Sequence, residues 1–360
     1  MKIAIIGLGV IGGSLGLAIK QTDSGNTIVG FDSPGVLRRA KKRKAIDVAA
    51  PSLRAAVSDA EIVFLCTPVD SILKLLSDVS RFISSTTIVS DVGSVKGVVQ
   101  ASAKRYFRSR GIFIGGHPMA GSEGSGIEYA DALLFQNAVY VLCPPRGRAK
   151  ETRLLAALLK SIGARVLTMD AREHDRVAAA ISHLPQLLAV GLMDSASRKN
   201  KGNPAFLQLA AGGFRDMTRI ASSPFPVWKD ILSNNRKETK RALQEFEKLL
   251  RQFRKRLNQR SLSDVGKKFL RAKSFRDSIP KNTKGFLHSL HDLFVWVDDK
   301  PGTLSTMTTT LFRSGININD IELLKVREGQ GGTFRLSFES GESARMAAKS
   351  LRAKGFRVAK

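Results

Sequence analysis

The opening run Lys2-Ile-Ala-Ile-Ile-Gly7-Leu8-Gly9-Val10-Ile11-Gly12-Gly13, followed by Thr27-Ile-Val-Gly-Phe-Asp32, leaves few folds open to this chain. It joins a buried strand, a glycine turn, a helix start and a second strand that ends in a carboxylate. That order marks the phosphate-binding unit of a Rossmann-like, doubly wound α/β sheet. Gly7 permits the tight turn, Gly9 lets a pyrophosphate approach the backbone, and Gly12 lets the helix pack close to the strand. Unpaired N–H groups at the helix start, near Leu8, Val10 and Ile11, would face the phosphates. Asp32 lies 25 residues after Gly7. A carboxylate there accepts hydrogen bonds from both ribose hydroxyls and repels a 2′-phosphate, so NAD is expected rather than NADP. The bland alternative is a glycine-rich turn with no ligand; the strand before it and the acid after it favour the cofactor.

At 360 residues the chain can bury a large core and divide into two or three domains. No apolar run reaches the length of a bilayer span, and Met1 leads directly into the first strand. Neither an anchor nor a signal peptide is therefore expected, and the cytoplasm is the expected address. Cys66 and Cys143 sit in apolar, strand-like runs and read as buried small side chains. The five histidines show no metal-ligand spacing, so no metal is expected. A formal charge of +27 invites nucleic acid or an acidic membrane, but its distribution argues against both. Between Arg236 and Arg276, 15 Lys and Arg stand against 4 Asp and Glu. Most of them share the polar side of a helix whose apolar side is Leu243, Phe246, Leu249, Leu250, Phe253 and Leu257. A solvated face accounts for them without a nucleic-acid or membrane partner. The positive field would still help to collect a small dianionic substrate.

Strand and helix patterns alternate to about residue 170: after the first two strands come Glu61–Cys66, Thr87–Asp91, Ile112–Gly116, Ala138–Leu142 and Arg165–Met169. Short apolar strands separated by amphipathic helices predict a largely parallel sheet covered on both faces, with ligands at the carboxyl ends of its strands. That rule selects three loops: Thr67-Pro68-Val69, Asp91-Val-Gly93-Ser94-Val-Lys96, and Gly116-His117-Pro118 through Glu123. The domains expected are therefore 1–170, nucleotide-binding; 171–260, all-α, with one helix over Arg172–Ser197 and another over Val227–Arg260; 261–290, a basic linker; and 291–360, a separate module. The order βαββαβ in this last part predicts a ferredoxin-like sandwich.

His117, in a Gly- and Pro-rich loop at a strand's carboxyl end, is the candidate general base, since an imidazole accepts a hydroxyl proton near neutral pH. A structural histidine is the alternative. Ser94 could bond the same hydroxyl or cap the following helix. Gly212-Gly213-Phe214-Arg215-Asp216-Met-Thr-Arg219 offers two arginines beside one carboxylate. One arginine would pair with Asp216, leaving the other for a substrate carboxylate, unless the cluster is a purely structural ion pair. His183, just before Pro185, suits either a ligand contact or a structural hydrogen bond.

These residues carry a family resemblance. Gly116-His117-Pro118-Met119-Ala120-Gly121-Ser122-Glu123 with Ser125-Gly126-Ile127, then Ser182-His183-Leu184-Pro185, then Gly212 to Asp216 through Thr218-Arg219-Ile220-Ala221 to Trp228, resemble the prephenate dehydrogenases of tyrosine biosynthesis. Asp298 to Gly302 and Gly315 to Ile318 resemble the ligand-binding edge of a C-terminal ACT domain. The resemblance covers nearly the whole chain. It implies oxidative decarboxylation of prephenate to 4-hydroxyphenylpyruvate with hydride transfer to NAD. By similarity, His117 polarises the ring hydroxyl, Ser94 assists and Arg219 binds a carboxylate, while Glu123, His183, Gly213, Arg215 and Trp228 line the pocket. The all-α part becomes a dimerisation and substrate domain, so a homodimer is expected. The ACT domain implies a tyrosine effector near Asp299, Gly302 and Asn317. Gln186 departs from the pattern, because many relatives carry histidine there. Gln donates hydrogen bonds but cannot become cationic, which keeps arogenate open beside prephenate. Two further alternatives stand: a β-hydroxyacid-type NAD dehydrogenase, and a non-catalytic sensor of NAD and an amino acid.

Overall fold

In a computed structural model of the chain, the described residues are 1–22, 25–121, 124–259, 262–279, 290–298, 300–327 and 331–359. They form two compact units, Met1–Lys267 and Lys268–Lys360. The first is built on an eight-stranded sheet: β1 (Lys2–Ile6), β2 (Thr27–Phe31), β3 (Val48–Ala49), β4 (Ile62–Leu65), β5 (Ile88–Asp91), β6 (Ile112–Pro118), β7 (Val139–Cys143) and β8 (Arg165–Thr168). Their spatial order is β3-β2-β1-β4-β5-β6-β7-β8. Neighbours run parallel except β6 and β7, which are antiparallel.

The continuous apolar strands follow from burial on both faces, because the pleat sends alternate side chains to opposite sides. Ile3, Ile5, Ile28, Ile62, Phe64 and Ile88 enter one core with Leu15 and Ile19. Ala4, Ile6, Val29, Val63, Leu65 and Val89 enter the other with Ile72, Leu76 and Val79. Strand order reverses between β1 and β4, which opens a crevice at their carboxyl ends.

After the sheet, Ala171–Asn200 is one unbroken helical run. It is α-helical over Ala171–Ala178, widens to a π-turn over Ala179–His183, and continues as α-helix over Leu184–Asn200. Pro185 has no N–H to give to the preceding turn, and the wider turn accommodates that missing bond. By length and composition this helix could cross a bilayer, a feature the sequence pattern did not suggest. Its inward face nevertheless carries buried His174, Asp175, His183 and Gln186, all hydrogen-bonded to other parts of the same unit. Those polar bonds mark a helix of a folded globule.

One expectation fails here. The single helix over Val227–Arg260 is instead two, Phe225–Asn234 and Arg236–Leu257. Asn235 breaks it (φ −115°, ψ 30°) because its side chain turns inward to Asp175 O at 2.8 Å. Ser263–Ser278, within the stretch expected to be a linker, is helical. Ion pairs one turn apart, Lys267–Asp264 at 3.8 Å and Lys273–Asp277 at 2.8 Å, favour that helix.

The second unit carries β9 (His291–Val297), a helix over Thr303–Arg313, β10 (Asp320–Arg327), β11 (Gly331–Phe338), a helix over Gly341–Ala353 and β12 (Arg357–Ala359). The sheet order is β10-β11-β9-β12, with every pair antiparallel, the ferredoxin-like arrangement expected of βαββαβ. Leu293, Val295, Leu336 and Phe338 pack on Met307, Leu311, Ala347 and Leu351 of the two helices. Gly302 precedes the first of these helices with φ +84°, a conformation that favours glycine, and Asn317 stands exposed in the connection to β10. Asp299, the third expected effector residue, lies outside the described residues.

Candidate active site

The crevice begins at the glycine turn. Gly7 has φ +94°, and a Cβ there would fall 2.8 Å from the Cys66 carbonyl. A Cβ on Gly12 would fall 2.0 Å from Gly7 O, so the helix over Val10–Thr22 sits on the turn at glycine distance. Gly9 is different: a Cβ there would meet no protein atom within 4 Å. Its bare backbone faces open space. Asp32, at the end of β2, accepts from Leu8 N at 2.7 Å and Ser33 N at 2.6 Å. Each carboxylate oxygen keeps a second lone pair for another donor. In the turn after β4, Thr67 Oγ1 is buried without a hydrogen-bond partner. Pro68 and Val69 start the helix Val69–Phe82 beside it, and Val69 Cγ2 would lie 3.2 Å from a Cβ on Gly93. A pyrophosphate fits along Gly9, Val10 and Ile11, and a ribose fits against Asp32. The residues present therefore suit a dinucleotide.

Next to this crevice, β5 and β6 are clamped at their ends by a buried ion pair. Lys96, fully buried, donates from Nζ to Asp91 Oδ2 and to Gly116 O. Asp91 in turn accepts from Gly116 N at 3.1 Å and Gly93 N at 2.9 Å. The clamp fixes the backbone of Gly116 and therefore of His117. His117 is not in a loop, as the glycines and proline suggested, but within β6, whose ladder with β7 pairs it with Val141. It is 9% exposed. Burial, reinforced by His174, Lys96 and His183, holds its imidazole well below the usual value, so the ring is neutral and able to accept a proton.

His117 Nδ1 lies 2.8 Å from His174 Nε2, and His174 Nδ1 lies 2.9 Å from Asp175 Oδ1. Asp175 also accepts from Lys96 N at 2.7 Å and Gly97 N at 2.8 Å. It thus caps the helix Gly97–Tyr106 from a distant part of the chain, and the capping alternative for Ser94 falls away. Asp175 O accepts from Asn235 Nδ2, whose amide group also stands 3.3 Å from His183 Nδ1. Because the carbonyl can only accept, the amide nitrogen must face it, and His183 Nδ1 is the acceptor at that junction. His183 Nε2 then carries the hydrogen. Burial pushes this imidazole down to about 4 against the opposing pull of Asp175. Trp228 meets His183 edge to face, ring centres 6.0 Å apart.

The other expected residues lie on the helical side. Gln186 is buried and donates from Nε2 to Ile220 O at 3.0 Å, tying the short 3₁₀ turn Arg219–Ser222 to the long helix. Arg219 stands exposed at the start of that turn. Arg215 spends its Nε on Ala210 O at 2.8 Å, closing its own turn, and Gly213 is exposed on the same helix, Gly212–Thr218. Arg215 and Gly213 are not members of the hydrogen-bonded series His117, His174, Asp175, Asn235 and His183. Glu123 lies outside the described residues. His174, Asp175 and Asn235 were not picked out from sequence, and Lys96 was named only as the end of a selected loop, with no role. A lysine between Val95 and Gly97 at a strand's carboxyl end was the one visible signal.

Three family models match the chain in succession: prephenate dehydrogenase, nucleotide-binding domain, over residues 15–168; prephenate dehydrogenase, dimerization domain, over 170–270; and ACT domain over 291–347. A prephenate dehydrogenase of Bacillus subtilis is 36% identical over 98% of this chain and 96% of its own. The solved prephenate dehydrogenase of A. aeolicus, in complex with hydroxyphenyl propionate and NAD+, superposes with a TM-score of 0.71 at 28% identity. That match covers 78% of this chain and 98% of the other. A Synechocystis arogenate dehydrogenase gives a TM-score of 0.69 at 30% identity, covering 77% of this chain and 99% of the other.

Proposed function

The chain belongs to the prephenate dehydrogenase family, and from that premise we propose that His117 Nε2 receives the ring hydroxyl proton as prephenate is oxidised and decarboxylated to 4-hydroxyphenylpyruvate. The observation that carries this reading is a neutral, buried imidazole held at the carboxyl end of β6, beside a crevice shaped for a dinucleotide. NAD, when bound, supplies the hydride acceptor. Asp32 favours it over NADP, since a 2′-phosphate would meet a carboxylate.

The chemistry asks little of the protein beyond proton management and positioning. The C–H bond at the carbinol breaks with its electron pair, and the C–C bond to the ring carboxylate breaks with its pair entering the ring. Carbon dioxide leaves and the ring becomes aromatic. His117 draws the hydroxyl proton as positive charge builds on the carbinol carbon and returns it to the phenol oxygen, so no net proton is released. Ser94, half-buried between Asp91 and Lys96, is assigned to the same hydroxyl. Arg219 is assigned to a substrate carboxylate, which guanidinium fits in bidentate fashion. His183, presenting Nε2–H, and Trp228 are assigned to the side-chain end of the substrate, with Gly213, Arg215 and Glu123 completing the pocket. Gln186 serves that wall by holding the Arg219 turn.

Arogenate is the second reading, favoured by the Synechocystis neighbour and by the neutral Gln186. Incubating the purified enzyme with NAD and each substrate in turn, and following NADH, decides between them. A faster reaction with arogenate would reverse the preference, and no NADH from either would defeat the proposal.

We divide the chain functionally into a cofactor domain, 1–170, a helical substrate and dimerisation domain, 171–260, a basic connection, 261–290, and a regulatory ACT domain, 291–360. Exposed apolar side chains on the helical part, among them Leu207, Leu209, Met217 and Phe225, support a homodimer that covers them. Tyrosine is the proposed effector, through Gly302, Asn317 and Asp299. Two free cysteines fit a cytoplasmic address, where thiols stay reduced.

A further inference from the structure

We propose that His174 and Asp175 are positioning residues that hold His117 in the tautomer with a bare Nε2 and share the proton it takes up. This rests on His117 as the acceptor in the reaction above. The geometry fixes the hydrogens one after another. Asp175 accepts Lys96 N–H and Gly97 N–H at 2.7 and 2.8 Å, and a carboxylate has no hydrogen to give. His174 Nδ1, 2.9 Å from Asp175 Oδ1, is therefore the donor at that contact. With His174 in its neutral form, the hydrogen on Nδ1 leaves a lone pair on Nε2, and that atom faces His117 Nδ1 at 2.8 Å. His117 must donate there, which leaves its Nε2 lone pair as the free acceptor. In the opposite tautomer His117 would present N–H to the substrate hydroxyl and could not take its proton.

The same chain of bonds accommodates the proton once taken. When His117 Nε2 gains hydrogen, its Nδ1–H bond can break as the His174 Nε2–H bond forms, moving the positive charge one ring nearer to the Asp175 carboxylate. Return of the proton to the phenol oxygen reverses both steps, so the balance needs no outside acid or base. The charged and titratable groups facing His117 set this direction. Lys96, at the start of the Gly97–Tyr106 helix, presents a cation paired with Asp91 at the end of β5, His183 presents a neutral ring from the long helix, and Asp175 presents its anion through His174. The carboxylate is the group that stabilises a cation on this path, and it is placed behind His174.

Nothing in a merely structural capping role for Asp175 would require His174 between it and His117. The test uses the full-length enzyme in three forms, Asp175→Asn, His174→Phe and His174→Gln, with His117→Asn as reference. Each is assayed for kcat and KM across pH 6–9, for melting temperature, and by ¹⁵N chemical shifts of the imidazole nitrogens in histidine-labelled protein. Wild type should show His117 with a hydrogen-bearing Nδ1 and a bare Nε2, the resonances being assigned by their loss in His117→Asn. Asp175→Asn and His174→Phe should lower kcat by about 10²-fold or more with KM little changed. His174→Gln, whose oxygen can accept from His117 while its amide donates to Asp175, should recover at least about a tenfold share of that loss. A His117 signal with bare Nδ1, or equal activities for the Phe and Gln forms at equal melting temperature, overturns the proposal. If His117→Asn itself keeps full activity, the reading of the active site fails instead, whatever the tautomer. Should Asp175→Asn not fold because it loses the helix cap, the two His174 forms decide alone.

Discussion

Replacing Gly12 by alanine and Gly9 by alanine should have opposite consequences, although both belong to one glycine turn. A Cβ at Gly12 would fall 2.0 Å from Gly7 O, more than an ångström inside normal contact, and 3.0 Å from Cys66 Cβ. Neither neighbour is a flexible side-chain tip, so the whole helix Val10–Thr22 must lift. Overpacking of this kind costs about 1–3 kcal/mol, offset by up to about 1 kcal/mol from the better helix propensity of alanine. A net loss of about 1–2 kcal/mol lowers the melting temperature by roughly 2–8 °C in a domain of this size. At Gly9 no protein atom lies within 4 Å of the new methyl, so folding should be unaffected. The methyl would instead occupy the side from which a pyrophosphate approaches, and a loss of about 1.4 kcal/mol in binding weakens affinity for NAD tenfold. Thermal melts without ligand, paired with NAD titrations, separate the two effects. A Gly9→Ala protein that binds NAD as tightly as wild type would refute the assignment of that open space to the cofactor. An unchanged melting temperature for Gly12→Ala would refute the steric argument.

Three other outcomes follow from the same geometry. Lys96→Met leaves the fully buried Asp91 carboxylate without its cation and should cost about 3–5 kcal/mol in urea unfolding, whereas a loss under 1 kcal/mol would mean that the pair does not clamp β5 to β6. The His183 ring, pushed down to about 4, sits below its ordinary value near 6.5, so the unfolded chain binds the extra proton between those values. Its contribution is complete above about pH 6.5 and falls away toward pH 4, by on the order of 3 kcal/mol. His183→Gln should flatten that part of the stability profile, and an unchanged slope would contradict it. Asp32→Ser should narrow the preference for NAD over NADP at least about tenfold in kcat/KM, and a wild type that prefers NADP would show the argument from the carboxylate to be wrong.

The cofactor half of the site was readable because its determinants are local. The turn needs glycine where φ is +94° at Gly7 and where the helix touches Gly7 O, and those demands appear within a dozen consecutive residues. The uninterrupted burial of β1 and β4 was equally plain, since both faces of a parallel sheet must be apolar. In the buried hydrogen-bonded series beside the cofactor half, His117 and His183 were singled out from sequence, and the residues between them were not. His174 and Asp175 open an amphipathic helix, where Arg172, Glu173, His174, Asp175 and Arg176 read as a solvated first turn. Their hydrogen bonds arise when that turn packs against the start of the Gly97–Tyr106 helix, some 80 residues earlier, a contact no local pattern encodes. Asn235 was hidden for the opposite reason. No glycine or proline marks the break, which comes from an inward side-chain hydrogen bond to Asp175 O. Helix Ser263–Ser278 was passed over because its apolar positions are weakly periodic, and none of its residues is buried.

In the proposed mechanism a neutral imidazole at position 117 handles the hydroxyl proton while hydride leaves for NAD. The most direct test of that role is NADH formation from prephenate by wild type and His117→Ala, measured alongside NAD affinity. Turnover should fall by at least about 10²-fold with NAD binding nearly intact. Turnover equal to wild type, or a loss explained wholly by failure to bind NAD, would contradict it.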